Sequence, residues 1–300
     1  MKKLFTLLAF TISFSVNSQI STSGTNNSGI FSSAIGFQTS ATGDYSTAIG
    51  YSSTASESYC TAIGYSTNAS GSTSTAMGVN TTASGDGSTT MGNITTASGN
   101  NSTAMGNDTT ASGSASTAMG FVTIASGSYS TAMGRNNTAS GLYSTVMGES
   151  TTASANYSTA MGSYTTASGT YSIGMGYRTT ASDFASVVIG QYNSSGSSAT
   201  SATSFSTSNT AFVIGNGADS SNKSDAFKVM FNGDTYVSSS LYLAGTAITA
   251  TAAEINLLDG VTTIGDGILA SVTESSNTGV RLSTSNASNH GEIGDAAVDL

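Results

Sequence analysis

Twelve glycines recur in this chain at a fixed spacing of fourteen residues: Gly36, Gly50, Gly64, Gly78, Gly92, Gly106, Gly120, Gly134, Gly148, Gly162, Gly176 and Gly190. The residues between them repeat as well, on the pattern STAMG-xx-TTASG-xx. A period this short and this strict means one small structural unit stacked on itself. It predicts an elongated repeat fold rather than a globule around a single core. It also points away from enzymes and towards a surface scaffold.

With the glycine as position 0, position −1 is always large and apolar: Ile35, Ile49, Ile63, Met77, Met91, Met105, Met119, Met133, Met147, Met161, Met175 and Ile189. Position −2 is Ala in eight of twelve repeats, position −4 is Ser in eleven, and position +5 is Ala in every repeat from Ala41 to Ala181. Position +7 is usually Gly, as at Gly71, Gly85 and Gly99. Glycines at seven-residue intervals divide each unit into two short strands and two tight corners. Glycine is expected to supply the positive φ that such corners need.

Two facing strands of about four residues leave almost no interior, because side chains alternate between faces. Ala at −2 and +5 and Ser at −4 have the right size to fill it. Alternation then sets the Met/Ile column at −1 on the outer face, beside Thr at −3. Coils stacked about 4.8 Å apart would make a rod of roughly 55 Å. An apolar stripe along it is a liability for a soluble monomer. Burying each side chain is worth about 2 kcal/mol, so the column could contribute on the order of 20 kcal/mol gross. A homo-oligomer about the long axis would bury it. The alternative is a private core inside a wider coil, but a three-sided coil needs about eighteen residues. The shared core is favoured.

The stretch STAIGYSSTASESYCTAIGYSTNASG resembles the head repeats of YadA-type trimeric autotransporter adhesins, the haemagglutinin/invasin head repeat family. The similarity covers about residues 29–190, and the family repeat resembles S-V-A-I-G-x-x-A-x-A-x-G-x-x. The resemblance implies an all-β fold, a left-handed parallel β-roll with three chains wound about a common axis. It implies a homotrimer and a surface-displayed, adhesin-like fibre head with an unknown extracellular glycan or protein ligand. This chain departs from the family pattern with Thr at −3 in place of Val and Met at −1 in place of Ile. The family's membrane-anchor barrel has no counterpart in the sequence, so self-secretion is not expected.

Composition narrows the partners. The net charge is −9 and only 8% of residues are charged. After Lys3 there is no cluster of Lys or Arg, which weighs against nucleic acid and against anionic membrane surfaces. Cys60, the one cysteine, stands in a slot that is Ser elsewhere and reads as a small filler. Proline is absent, which suits a backbone committed to sheet ladders.

Residues 1–18 read as a signal peptide: Lys2 and Lys3, an apolar run from Leu4 to Phe14, and small Val16 and Ser18 ahead of cleavage. That run is too short to span a bilayer, and no transmembrane helix is expected elsewhere. The protein is thus expected to be secreted or at the cell surface, associated with an outer membrane, with any anchor outside this chain or working without a helix.

Residues 19–28 form a lead-in to the repeats, and 191–209 a Ser/Thr/Gly-rich linker or insertion. Within 210–245, AFVIGNG restates the coil motif at Gly215, and FKVMFNGDTYV predicts a β-hairpin closed by a type I′ turn at Asn232-Gly233. In 246–300, Thr251 and Glu254 at capping-box spacing, with Gly260 as C-cap, predict a short helix bearing Ile255 and Leu258 on one face. That stretch resembles segments of tail-fibre and fibrous surface proteins. The end of the chain resembles a connector that precedes further residues, so a fragment is expected.

Catalytic chemistry is missing from the sequence. With His290 the one histidine, neither a Ser-His-Asp arrangement nor a histidine metal cage can form within the chain. Carboxylates are scattered without calcium-loop spacing, and no cofactor motif occurs. The candidate contact residues are the tyrosines at −5, including Tyr129, Tyr143, Tyr157 and Tyr171, and the aromatics at +1, Phe37, Tyr51, Tyr65, Phe121 and Tyr177. They either stack on the neighbouring coil or chain, or present an exposed aromatic ladder to glycans or matrix proteins. A second ladder pairs Thr at +4 with Ser at +6, as in Thr82/Ser84, Thr96/Ser98, Thr110/Ser112 and Thr152/Ser154. It leaves open an ice-binding solenoid or a purely structural spacer.

Overall fold

The computed structural model describes residues 23–248. The signal peptide and the short helix read from the sequence lie outside them.

Each fourteen-residue unit folds into one coil made of a five-residue strand and a two-residue strand. The first coil has Ser33–Phe37 and Ser40–Ala41; the eleventh has Ile173–Tyr177 and Thr180–Ala181. Like strands of successive coils pair in parallel with no slippage: Ile49 faces Ile63, Met119 faces Met133, and Gly120 faces Gly134. Two sheets result, one of long strands and one of eleven short strands. No helix occurs among the described residues. The fold is the expected all-β solenoid, although the strands are five and two residues long rather than four each.

The corners differ from the sequence reading. The left-handed corner residues are positions +2 and −5, and apart from Gly87 they are not glycine, as at Ser52 (φ 50°), Tyr59 (φ 60°), Ile94 (φ 55°) and Tyr143 (φ 55°). Such backbone costs about 1–2 kcal/mol per non-glycine residue. What offsets it is the ladder: the left-handed turn bends the chain while its N–H still points along the coil axis. Ser52 N–H donates to the Phe37 carbonyl at 2.9 Å, and Tyr59 N–H to that of Asp44 at 2.9 Å. The axial ladder therefore runs through the corners unbroken.

The period-defining glycines answer a different need. They lie within the long strands, and a Cβ on Gly120 would sit 2.0 Å from the carbonyl oxygen of Gly134. These glycines also carry φ between 95° and 138°. At +7 the φ is ordinary, and Glu57, Ala155 and Asp183 take the place of glycine there.

The interior is as narrow as the sequence predicts. Ala at −2 and +5 is fully buried along the stack, with Val146 and Val188 the largest aliphatics on the long strands of the repeats. Ser at −4 and Thr or Ser at +3 fill the rest. Buried hydroxyls ordinarily find partners; in this coil some do, while others, among them Thr95, Thr109, Ser130 and Ser144, make no hydrogen bond among the described residues. Ser102 Oγ donates to the Gly99 carbonyl at 2.6 Å, and Thr67 Oγ1 donates to Ser53 Oγ, which donates to the Gly64 carbonyl. Cys60 makes the serine-type bond, Sγ to the Glu57 carbonyl at 2.7 Å. Burial pushes its thiol above the ordinary range, so it is a filler rather than a nucleophile. Asn137 replaces Thr at +3, with Nδ2 donating to the Met133 and Gly148 carbonyls and Oδ1 accepting from Thr151 N–H and Oγ1.

The stack continues past Gly190. The strand Thr210–Asn216 pairs in parallel with Val187–Gln191, Ile214 facing Ile189 and Gly215 facing Gly190. The chain between them loops out and is held by Asp183, a 1% exposed carboxylate. Asp183 accepts from Thr200 N–H, Thr210 N–H and Thr210 Oγ1. Removing it would orphan three donors, each now bonded to a charged acceptor. Asp183→Ala is expected to cost about 3 kcal/mol and to open residues 194–209 to limited proteolysis. An unchanged urea midpoint and cleavage pattern would show the loop is held by other contacts.

Asp225–Met230 then runs antiparallel to Thr210–Asn216 and forms a hairpin with Thr235–Val237. The turn is not type I′. Gly233 N–H bonds the Met230 carbonyl, and Gly233 alone has positive φ (95°). That is a three-residue loop, a type I turn closed by a left-handed glycine. Asn232 stays right-handed because its Oδ1 accepts from Asp234 N–H at 3.0 Å. Residues 240–248 belong to a separate unit, with a hairpin of Tyr242–Leu243 and Thr246–Ala247.

Candidate binding surface

The outer faces follow from the alternation. Because Ala at −2 points inward, its neighbours Thr at −3 and Met or Ile at −1 point outward. Ile35, Ile49, Ile63, Met77, Met105, Met119, Met133, Met161, Met175 and Ile189 are half-buried, each lying against its equivalent one coil along. Met91 and Met147 are more open, at 42% and 37% exposure. In a single chain this column is an unbroken outward apolar stripe. The short-strand face carries Thr at +4, half-exposed, with the exposed Ile124 interrupting the row.

Stacking and exposure coexist at the aromatic corners. Tyr129, Tyr143, Tyr157 and Tyr171 stack in one continuous pile, with ring centroids 4.7, 5.2 and 4.8 Å apart and planes within 13°. Each ring nevertheless stays 44–53% exposed. The spacing is that of neighbouring strands, so the ladder sets the stacking distance. A second pile joins Phe31, Tyr45 and Tyr59, and a third at +1 joins Phe37, Tyr51 and Tyr65. Phe121 is exposed without such a pile, beside Arg135, whose guanidinium pairs with Glu149 at 3.0 Å one coil further on.

One cluster escaped the sequence reading. Arg178 lies over the ring of Tyr164, 4.4 Å from its centroid, and donates Nε–H to the Tyr177 hydroxyl at 3.3 Å. Tyr192 meets Tyr177 edge-on at 5.4 Å. The bond from Arg178 holds the Tyr177 hydroxyl below its ordinary range, and the bond with Tyr177 pushes Tyr192 upward. Tyr164, Arg178 and Tyr192 all occupy the +2 corner, one coil apart. That fourteen-residue offset was the available signal.

Among the described residues no three His, Cys, Asp or Glu side chains gather as a metal site, and no helix is long and apolar enough to cross a membrane. No curated protein shows significant similarity to the chain. The family model for the YadA head domain repeat (2 copies) matches it in nine segments between residues 28 and 193. These segments cover the solenoid from its first coil to its twelfth long strand. The family is one of adhesin heads of the trimeric autotransporter type, not of enzymes. A fourteen-residue coil with alanine inside, glycine at every axial contact and an apolar column outside is thus a YadA head repeat, and the chain belongs to that family.

Proposed function

We propose that this chain is the attachment head of a secreted, surface-displayed homotrimeric adhesin, binding an extracellular glycan or protein through its aromatic corners. The observation that carries the reading is the pile of half-exposed tyrosines from Tyr129 to Tyr171. Stacked rings with open edges and hydroxyls form a rigid contact strip that loses little entropy on binding. The Met/Ile column supports the trimer, since three such stripes about one axis would cover one another. Family membership supports display at the cell surface.

The test is binding to host cells or a glycan array by wild-type protein and by the double variant Tyr143→Ala, Tyr157→Ala. The substitution is structurally mild, because Ala115 and Ala185 already occupy the same left-handed corner at φ 53° and 57°. Binding is expected to fall at least about tenfold, as for loss of aromatic anchors. Unchanged binding would leave a spacer. Inhibition of ice recrystallisation by the wild type would instead favour the Thr face.

A further inference from the structure

The described chain carries only four basic residues, Arg135, Arg178, Lys223 and Lys228. Arg135 is neutralised by Glu149. The two lysines, remote from it, line one groove of about 690 Å³ at the end of the coil stack. The fold brings them there by two routes. Lys223 ends the loop that leaves the strand Thr210–Asn216, and Lys228 sits in the next strand, paired with Tyr236 across the hairpin. Lys228 Nζ lies 4.1 Å from the centroid of the Tyr236 ring, which remains 48% exposed. Ser194, Ser224, Ser238 and Asn216 add hydroxyl and amide groups to the lining.

The nearby carboxylates keep their charge but are turned to neutral backbone and amide donors rather than to the lysines. Asp225, on the groove wall, accepts Ser194 N–H and Ser195 N–H at 2.8 Å each. Asp219 accepts from Ser221 and Asn222, which holds its carboxyl below the ordinary range. Asp234 is bonded by Asn232. Neither lysine forms a salt bridge within the described residues. Lys223 and Lys228 thus outnumber the one lining carboxylate, Asp225, so the groove is net positive on a chain of net charge −9.

We propose that this groove binds an anionic saccharide, with a carboxylate or sulfate set between Lys223 and Lys228 and its sugar hydroxyls met by the serines and Asn216. This site is distinct from the tyrosine strip and does not rest on it. Charge-assisted bonds to ammonium groups would supply the attraction, and Tyr236 an apolar edge for the ring.

The experiment is affinity chromatography and titration of the full-length mature protein with three probes: a heparin oligosaccharide, a hyaluronate oligosaccharide and neutral dextran. Wild type is expected to bind at least one anionic probe and to release it with rising salt, while dextran passes unretained. Lys223→Gln, Lys228→Gln should weaken that binding at least tenfold, and Lys223→Arg, Lys228→Arg should keep it. Arg135→Gln should leave it unchanged. Retention of heparin but not hyaluronate would assign the site to sulfate, and the reverse to carboxylate. Failure of wild type to bind either anionic probe would overturn the proposal. So would equal binding by the glutamine variant with an unaltered β-sheet circular dichroism spectrum, or loss of binding in the arginine variant.

Discussion

Gly120→Val is expected to be the most damaging single change in the head, costing more than about 4 kcal/mol. Two penalties coincide at that residue. Its φ of 126° is one that a branched side chain does not adopt. Its Cβ would also meet the Gly134 carbonyl oxygen at 2.0 Å. That oxygen belongs to backbone in the parallel ladder and cannot withdraw without breaking the register of the next coil. Gly233→Ala separates the two penalties, since φ there is 95° but nothing lies within 4 Å of the added carbon. It should cost only about 1–2 kcal/mol. Urea denaturation followed by circular dichroism measures both. Equal midpoints would show that axial contact is not why glycine recurs.

The second large effect concerns assembly. In a lone chain Met119 and Met133 are half-buried and face outward, so aspartate at both would cost about 1–2 kcal/mol in lost burial and in repulsion between carboxylates one coil apart. At a shared axis the double variant Met119→Asp, Met133→Asp would bring six carboxylates from three chains into an apolar seam, a cost of several kcal/mol. Light scattering on the mature protein is expected to give a trimer for wild type and for Thr110→Asp, and a monomer or aggregate for the double variant. A folded wild-type monomer, or a trimeric double variant, would sink the shared-core proposal.

The sequence disclosed the coil because its period is a register: residues fourteen apart are the residues that pair. It disclosed the inside from Ala at −2 and +5, since few other side chains fit. It misled at the corners. Glycine ordinarily signals positive φ, but here tyrosine, asparagine and even Ile94 take that conformation, because the ladder bond at the corner offsets the strain. The period-defining glycines keep a positive φ as well, but within the long strands, where they also permit the close axial approach. The type I′ expectation failed at Asn232 for a local reason, the side-chain bond to Asp234. Tyr164, Arg178 and Tyr192 were hidden because +2, like +1, is among the most variable positions of the repeat. Lys223 and Lys228 were hidden because antiparallel pairing, not the period, assembles their groove.

The unslipped register also has a consequence for length. Each coil touches only the coil before and the coil after, so the stack behaves as a row of nearest neighbours whose stabilities add. Removing fourteen residues between equivalent points, or duplicating them, re-forms the same interface with a new neighbour. The height of the head is therefore counted out in whole steps of about 4.8 Å. A gene that gains or loses one repeat sets how far the far end stands from its support without redesigning any contact in between.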